Sequence, residues 1–311
     1  MNQPEVSVVM SVYNGASTLT KSIDSILCQE GVEFEFIIVN DGSTDGSSRL
    51  LEQYAAKDAR IRVIHQENAG LTKALIRGCA EARGKFIARQ DVGDCSLPGR
   101  LAKELALIKA NPANVLVSCG TRFVGPKQEP LFDVVQTPEE AMLGLRALNA
   151  RQLRGPSCHP CTLFRTDAYR SVGGYRQQFR MAQDIDLWVR LAERGNHVVV
   201  PEILYQAEYS LQGISAGRQG TRLRIAEMIV KGSGLRRIGL TDERLLESVQ
   251  GLTEKGRYSK PKRGESAYFV GVSLFKRASP GARDYLAMAL RENPLHLRAW
   301  VRYIQTLARS S

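Results

Sequence analysis

The chain has 311 residues, 43% apolar and 24% charged, with 27 Gly and 12 Pro, which excludes disordered, collagen-like and low-complexity classes and supplies ample material for a core. Its formal net charge is +11, and the whole excess lies in Gln212–Ser311, where 19 Lys and Arg face 8 Asp and Glu. No run approaches ~18 uninterrupted apolar residues, and the opening MNQPEVSVVMSVYNG lacks a basic stretch before its short apolar run, so neither a membrane span nor a secretory leader is expected. Six cysteines in a chain of this length fit reduced thiols, no structural disulfide and a cytoplasmic location.

Val6–Val12 is a continuous apolar run ending in Tyr13-Asn14-Gly15, which predicts a strand buried on both faces and stopped by a turn. STLTKSIDSIL follows as a helix. Phe34–Asn40 predicts a second buried strand, closed by DGSTDGS, whose Asp and Ser side chains can cap the helix SSRLLEQYAAK. IRVIHQ predicts a third strand, LTKALIRGCAEA a third helix and Lys85–Asp91 a fourth strand. Strands alternating with helices of this length imply a parallel, doubly wound α/β sheet. RLAKELALIKANP predicts a helix stopped at Asn-Pro, Val115–Gly125 a strand and turn, and TPEEAMLGLRAL a helix with Pro in its first turn. Ala182–Gly195 predicts a further helix with Leu187 and Leu191 inward. From Ile214 the pattern is helical, with a basic KPKRGE loop at Lys260–Glu265, and two helices joined at Asn293-Pro294 form a hairpin in which Trp300 packs.

Tyr13-Asn14, Asp41-Gly42-Ser43, Gln66-Asn68 and Asp91-Asp94 each stand just after one of the four strands. In such sheets the carboxyl ends of the strands form the ligand crevice, so four polar clusters converge on one edge. No G-x-G-x-x-G and no Walker A segment is present, which removes the usual support for dinucleotide redox chemistry and P-loop phosphoryl transfer. Asp91 and Asp94, flanking Val92-Gly93, have two readings: oxygen ligands for a divalent cation against a pyrophosphate, or an Asx-turn and helix cap. Asp184 and Asp186 also have two readings, as first-turn carboxylates favoured by the helix dipole or as the place of a general base.

Taken in order, VSVVMSVYNGASTLTKSIDSIL, FIIVNDGSTDGS, NAGLTKALIRG, GKFIARQDVGDCSLPGR, HPCTLFR and VGGYRQQFRMAQDIDLWVRLAERG resemble the family 2 inverting glycosyltransferases of GT-A fold, from about Val6 to Gln206. The resemblance implies a Rossmann-like, mostly parallel sheet flanked by helices over residues 1–211. Within it, 1–125 would bind the nucleotide and 126–211 the acceptor, and a basic helical domain would follow at 212–311. It implies that Val12 and Tyr13 line the nucleoside pocket and that Asp41 accepts the N3–H of a uracil or thymine base. Asp91 and Asp94 match the ends of the family's metal-binding Asp-x-Asp-Asp segment, with Gly93 at its central position. Either Asp94 takes the direct contact to Mg²⁺ or Mn²⁺, or Arg89, Lys73 or Arg100 neutralises the diphosphate. The family's Glu-Asp pair reads Gln183-Asp184, which makes Asp184 the base for an inverting displacement. Asp186 and Trp188 follow on the same helix, read with Gln183 and Arg100 as touching the acceptor or standing behind those that do, Trp188 as core or crevice wall. His159-Pro160 matches the acceptor-side segment, and His159 is read either as touching substrate or as a structural histidine. The family's Arg-x-His element is absent from ILYQAEYSLQGIS. The implied donor is a nucleotide diphosphate sugar, UDP-linked, and the implied acceptor a glycan or lipid-linked hydroxyl of the cell envelope. A non-catalytic nucleotide-sugar-binding relative is the alternative.

Cys158-His-Pro-Cys161 does not follow the first strand of a βαβ unit, and no second Cys pair completes a zinc site. The basic tail attracts polyanions but lacks interleaved aromatics and any nucleic-acid motif, so no nucleic acid is expected. It is read either as a surface for anionic lipid headgroups at the inner face of a membrane or as a hydrated helical domain.

Overall fold

The computed structural model describes residues 3–211, 219–255 and 263–308. The chain opens with β1 (Val6–Val12), α1 (Ala16–Leu27), β2 (Phe34–Asp41), α2 (Ser47–Lys57), β3 (Ile61–Gln66), α3 (Leu71–Ala80) and β4 (Phe86–Asp91). It continues through β5 (Cys95–Ser96), α4 (Arg100–Lys109), β6 (Asn114–Val124), β7 (Pro130–Val134) and α5 (Pro138–Gly144). Next come β8 (Thr162–Arg165), α6 (Thr166–Ser171), α7 (Gln183–Ala192) and β9 (Asn196–Glu208). The remaining helices are α8 (Gln219–Arg237), α9 (Glu243–Lys255), α10 (Glu265–Lys276), α11 (Ala282–Glu292) and α12 (Leu297–Ala308). The Lys260–Glu265 loop and the ILYQAEYSLQGIS segment lie partly outside the described residues.

The strands form one sheet in the order β3-β2-β1-β4-β8-β6-β9-β5, with β7 paired to β6. Strands β3, β2, β1 and β4 are mutually parallel, and the apolar runs of β1 and β2 are buried along nearly their whole length, as strands covered on both faces must be. Beyond β4 the sheet turns antiparallel: β8 pairs with β4 and with β6. HPCTLFR thus supplies a central strand, although its four-residue span is too short to show a periodicity. TPEE forms a capping box, in which the Thr137 hydroxyl accepts from Glu140 N and the Glu140 carboxylate accepts from Thr137 N.

The compact units are not two consecutive stretches. One comprises Met1–Thr121, Val134–Gln206 and Gly220–Lys255; the other comprises Arg122–Asp133, Ala207–Gln219 and Gly256–Ser311. Helices α8 and α9, which carry part of the basic tail, therefore belong with the sheet and its site. In the second unit Ala267, Ala289, Leu290 and Ala299 form a small core between α10, α11 and α12. Trp300, expected to pack in the hairpin, is instead 44% exposed. No described helix is long and apolar enough to cross a membrane.

At the amino-terminal edge of the sheet, buried Glu35 ties three strands and a loop together. Its carboxylate accepts from Ser7 Oγ (2.7 Å), Arg83 N (2.9 Å), Arg83 Nε (2.9 Å) and Arg62 Nη1 (3.0 Å). Burial alone would raise this carboxyl, but the donors from Arg83, Ser7 and Arg62 outweigh it and hold the group below its ordinary value of 4.5. A depressed folded pKa contributes stability that is complete above about 4.5 and lost as pH falls through the folded value. Glu35→Gln is expected to cost roughly 1–3 kcal/mol at neutral pH, measured by urea unfolding. It should also flatten the acid limb of the stability profile; an unchanged limb would show that Glu35 is not its source.

Candidate active site

Strand register sets the site. Val12 pairs with Asn40, Asp41 with Gln66 and Ser11 with Asp91, so the carboxyl ends of four strands lie in one row. Asp41 and Asp91 flank β1, about 10 Å apart across the sheet and offset by two residues along it, since Asp91 is level with Val39 through Ser11.

Asp41 is 1% exposed. Its Oδ1 accepts from Gln66 Nε2 (2.7 Å) and Ala69 N (2.8 Å), and its Oδ2 from Gly70 N (2.9 Å). Gly70 is the N-cap of α3, so the carboxylate also meets the positive end of that helix. Of the roughly four lone-pair sites of a carboxylate, one on Oδ2 is left for a ligand N–H. Gly42 makes this closure possible: its φ is +73°, and a Cβ there would stand 2.6 Å from Asn68 N. Lys73 is exposed on the first turn of α3.

The loop after β1 is clamped to the loop after β2. Asn14, at φ 51°, donates its backbone N–H to Ser43 Oγ (3.0 Å) and accepts at Oδ1 from Thr44 N (2.8 Å). Asp45 accepts from Ser47 N (2.9 Å) at one oxygen and from Ala16 N (3.0 Å) at the other. The DGSTDGS segment therefore does more than cap one helix: α2 has Gly46 as N-cap with no side-chain cap, and Asp45 joins the starts of α1 and α2. These bonds, Ser47 first, hold the Asp45 carboxyl below its ordinary value. Tyr13 is 54% exposed beside this clamp, whereas Val12 is wholly buried. The Val12 side chain therefore belongs to the sheet core, and only its backbone reaches the edge.

Past β4, Asp94 N bonds Asp91 O (3.4 Å) in a turn. Gly93, at φ +91°, donates its N–H to Ser22 Oγ (2.9 Å), so any larger residue there would be strained. Tyr205 links the two acids, accepting from Asp91 N (3.4 Å) and donating to Asp94 Oδ2 (3.1 Å). The turn and the carboxylate pair coexist. Among the described residues no set of three or more His, Cys, Asp or Glu is placed to hold a metal ion. Two acids on one turn fit a cation shared with a bound diphosphate rather than one caged by protein alone.

Two expected phosphate contacts are corrected. Arg89 is wholly buried, donating Nη1 to Val9 O and Nη2 to Asp91 Oδ1 (2.7 Å); it supports Asp91 from below. Arg100 is also wholly buried, bonded to Arg89 O, Ser96 Oγ, Pro160 O and Thr162 O and paired with Glu104 at 3.2 Å. Neither guanidinium is open to a ligand.

Asp184 lies in the first turn of α7, after Ala182 at φ 57°, and its Oδ1 accepts from Ile185 N (2.9 Å). Burial pushes its carboxyl above the ordinary 3.8, and the negative charge of Asp91 adds to this, while the Ile185 N–H and the Arg222 guanidinium oppose it. Asp184 thus feels the Asp91 charge at the end of β4. Arg222, on α8, comes from the basic tail and was not anticipated; its distance from Asp184 in sequence gives no hint of their proximity.

Behind Asp184, His159 Nε2 bonds Tyr175 Oη (2.7 Å), and the ring stands edge-on to Trp188 at 6.0 Å. Burial, with the Arg89 charge next, pushes this imidazole well below its ordinary 6.5. Trp188 and Gln183 are buried, and Trp188 Nε1 and Gln183 Oε1 find no hydrogen-bond partner among the described residues. Asp186 takes the supporting one of its two readings: it is 2% exposed and pairs with Arg190 (2.5 Å) and Arg176 (3.7 Å). Cys158 and Cys161 pack with Thr121 and Ser157. A hollow of about 370 Å³ lined by Glu139, Glu140, Leu143 and Arg154 involves none of the residues just described.

The sequence profile of Glycosyl transferase family 2 matches residues 7–173, covering the strands that carry Asp41, Asp91 and Asp94 and stopping short of Asp184. EpsE of Bacillus subtilis (strain 168) is 37% identical over 199 residues, 62% of this chain and 68% of EpsE. The crystal structure of S. aureus TarS 1-349 in complex with UDP superposes with a TM-score of 0.58 at 18% identity, over 97% of this chain and 88% of that one. The mannosyltransferase PcManGT from Pyrobaculum calidifontis, in complex with GDP-Man and Mn²⁺, gives 0.53 at 15%, over 98% and 88%. The chain has the GT-A glycosyltransferase fold and belongs to glycosyl transferase family 2.

Proposed function

We propose that the chain transfers a sugar from a nucleotide diphosphate donor, UDP-linked, to a hydroxyl of a glycan or lipid-linked acceptor, with inversion. What supports this reading is the carboxyl edge, where register sets the ends of β1, β2, β3 and β4 with Asp41 and Asp91 in one row, together with Asp184, a first-turn carboxylate of α7 that feels the Asp91 charge. A base so poised takes the acceptor proton as the acceptor oxygen bonds the anomeric carbon. The bond from that carbon to the diphosphate breaks on the opposite face, and the electron pair leaves with the nucleotide.

The residues divide the work by position. Asp41 takes the base N–H at its remaining lone-pair site, and exposed Tyr13 flanks the nucleoside. Asp91 and Asp94 would hold a Mg²⁺ or Mn²⁺ ion, which when bound neutralises charge on the leaving diphosphate. Lys73 and Arg222 are exposed cations, and Arg89 fixes Asp91. UDP in TarS 1-349 and Mn²⁺ in PcManGT support this choice of donor and cation class.

Asp184→Asn is expected to lower turnover by about 10²–10⁴-fold while leaving UDP binding, read by thermal shift, nearly unchanged; turnover close to wild type would remove Asp184 from the role. The acid limb of kcat/KM should lie above the ordinary Asp value of 3.8, because protonated Asp184 is inactive and activity rises as pH passes its raised pKa. A limb at or below that value would contradict the assignment. EDTA should abolish UDP release and Mn²⁺ restore it, with Asp91→Asn raising the Mn²⁺ concentration required. A melting shift with UDP-sugars but no released UDP at any cation level would instead identify a non-catalytic binder.

A further inference from the structure

Helix α12 is packed inside out. Leu297, Trp300, Val301, Ile304 and Leu307 recur at the spacing of one helical face, which would ordinarily turn toward a core. Instead they are 77%, 44%, 56%, 58% and 40% exposed, and Leu295, in the preceding turn, is 86% exposed. The buried face holds Ala299 and Thr306, and Ala299 contacts the small core of Ala267, Ala289 and Leu290. Trp300 is fixed in this outward setting: its Nε1 donates to Pro294 O at 2.8 Å, and its ring meets Tyr303 edge-on at 6.3 Å. Its polar atom is satisfied by protein, which leaves the apolar ring on the surface.

On α12 itself the charges are of one sign, while α11 alongside carries both, with Asp284 exposed next to Arg283. Leu297–Ala308 contains Arg298 and Arg302 and no Asp or Glu. Arg298 is exposed, as are Arg283 and Arg291 on α11. Nearby Glu292 is already engaged, accepting from Gly264 N at 2.8 Å. A contiguous exposed apolar face marks a contact site. An apolar helix face bordered by arginines suits the headgroup boundary of an anionic bilayer, where apolar side chains enter the acyl region and cations meet lipid phosphates. A second copy of the chain is the poorer occupant, since symmetric apposition of α12 would bring exposed Arg298 toward its own kind, whereas Arg302 is turned back over the Phe275 ring at 5.5 Å.

We infer that α12 is an interfacial membrane anchor, laying Leu297, Trp300, Val301, Ile304 and Leu307 into the surface of an anionic bilayer with Arg298 against its headgroups. The inference is independent of the transfer reaction, because its readouts are binding alone.

The full chain is mixed with vesicles of phosphatidylcholine alone or of equal parts phosphatidylcholine and phosphatidylglycerol, and binding is followed by flotation and tryptophan emission. Wild type is expected to float with the anionic vesicles and shift to the blue, a shift assigned to Trp300 because Trp188 is already buried. Leu297→Ser with Ile304→Ser should weaken binding by about tenfold or more, with unchanged circular dichroism and melting, since both side chains are exposed. Arg298→Glu should weaken binding and reduce its salt dependence. Failure of wild type to bind anionic vesicles at low salt overturns the proposal, as does wild-type affinity in the double variant. It is also overturned by a dimer that this double variant dissociates while wild type ignores vesicles.

Discussion

A carboxylate sealed from water has to be met by donors, and Asp41 is met by three from a single short loop. That requirement ties the end of β2 to the end of β3 and to the start of α3. Because β1 lies between β2 and β4 in register, fixing Asp41 also fixes the distance at which Asp91 stands. The donor side of the site is therefore built chiefly from backbone: strand ends, two clamped loops and a helix start.

Much of this was readable in the chain. The apolar runs of β1 and β2 and the polar clusters behind them announce a parallel sheet and its working edge without reference to any relative. What escaped the sequence is where long side chains go. Arg89 and Arg100 sit beside acidic and glycine-rich motifs and read as ligands for phosphate, yet both are wholly buried, their guanidinium groups taken by carbonyls and carboxylates. A guanidinium has five N–H donors and can serve as an internal strut as readily as a surface cation. Asp186 had two readings from its first-turn position, and only the Arg190 found against it separates its supporting role from that of Asp184. The short strand β8 carried too few residues to show alternation. In α12 the helix was legible and its orientation was not, because an apolar stripe in sequence carries no sign of which way it faces.

Charge is partitioned with a similar economy. The first 211 residues are balanced, and three of their arginines, Arg89, Arg100 and Arg190, are internal. The cation that moderates Asp184 comes from α8, part of the basic stretch that composition sets apart. The break in charge along the chain therefore does not coincide with the break in structure. Some of the positive excess belongs with the sheet unit, and the arginines of α11 and α12 lie in the other.

Asp45 places one anion on the first residues of two helices, Ala16 of α1 and Ser47 of α2. An insertion of a single residue between Tyr13 and Ala16, or between Asp41 and Ser47, would carry one helix start away from the carboxylate and leave the other behind. The lengths of these two loops are thus coupled through one shared counter-charge.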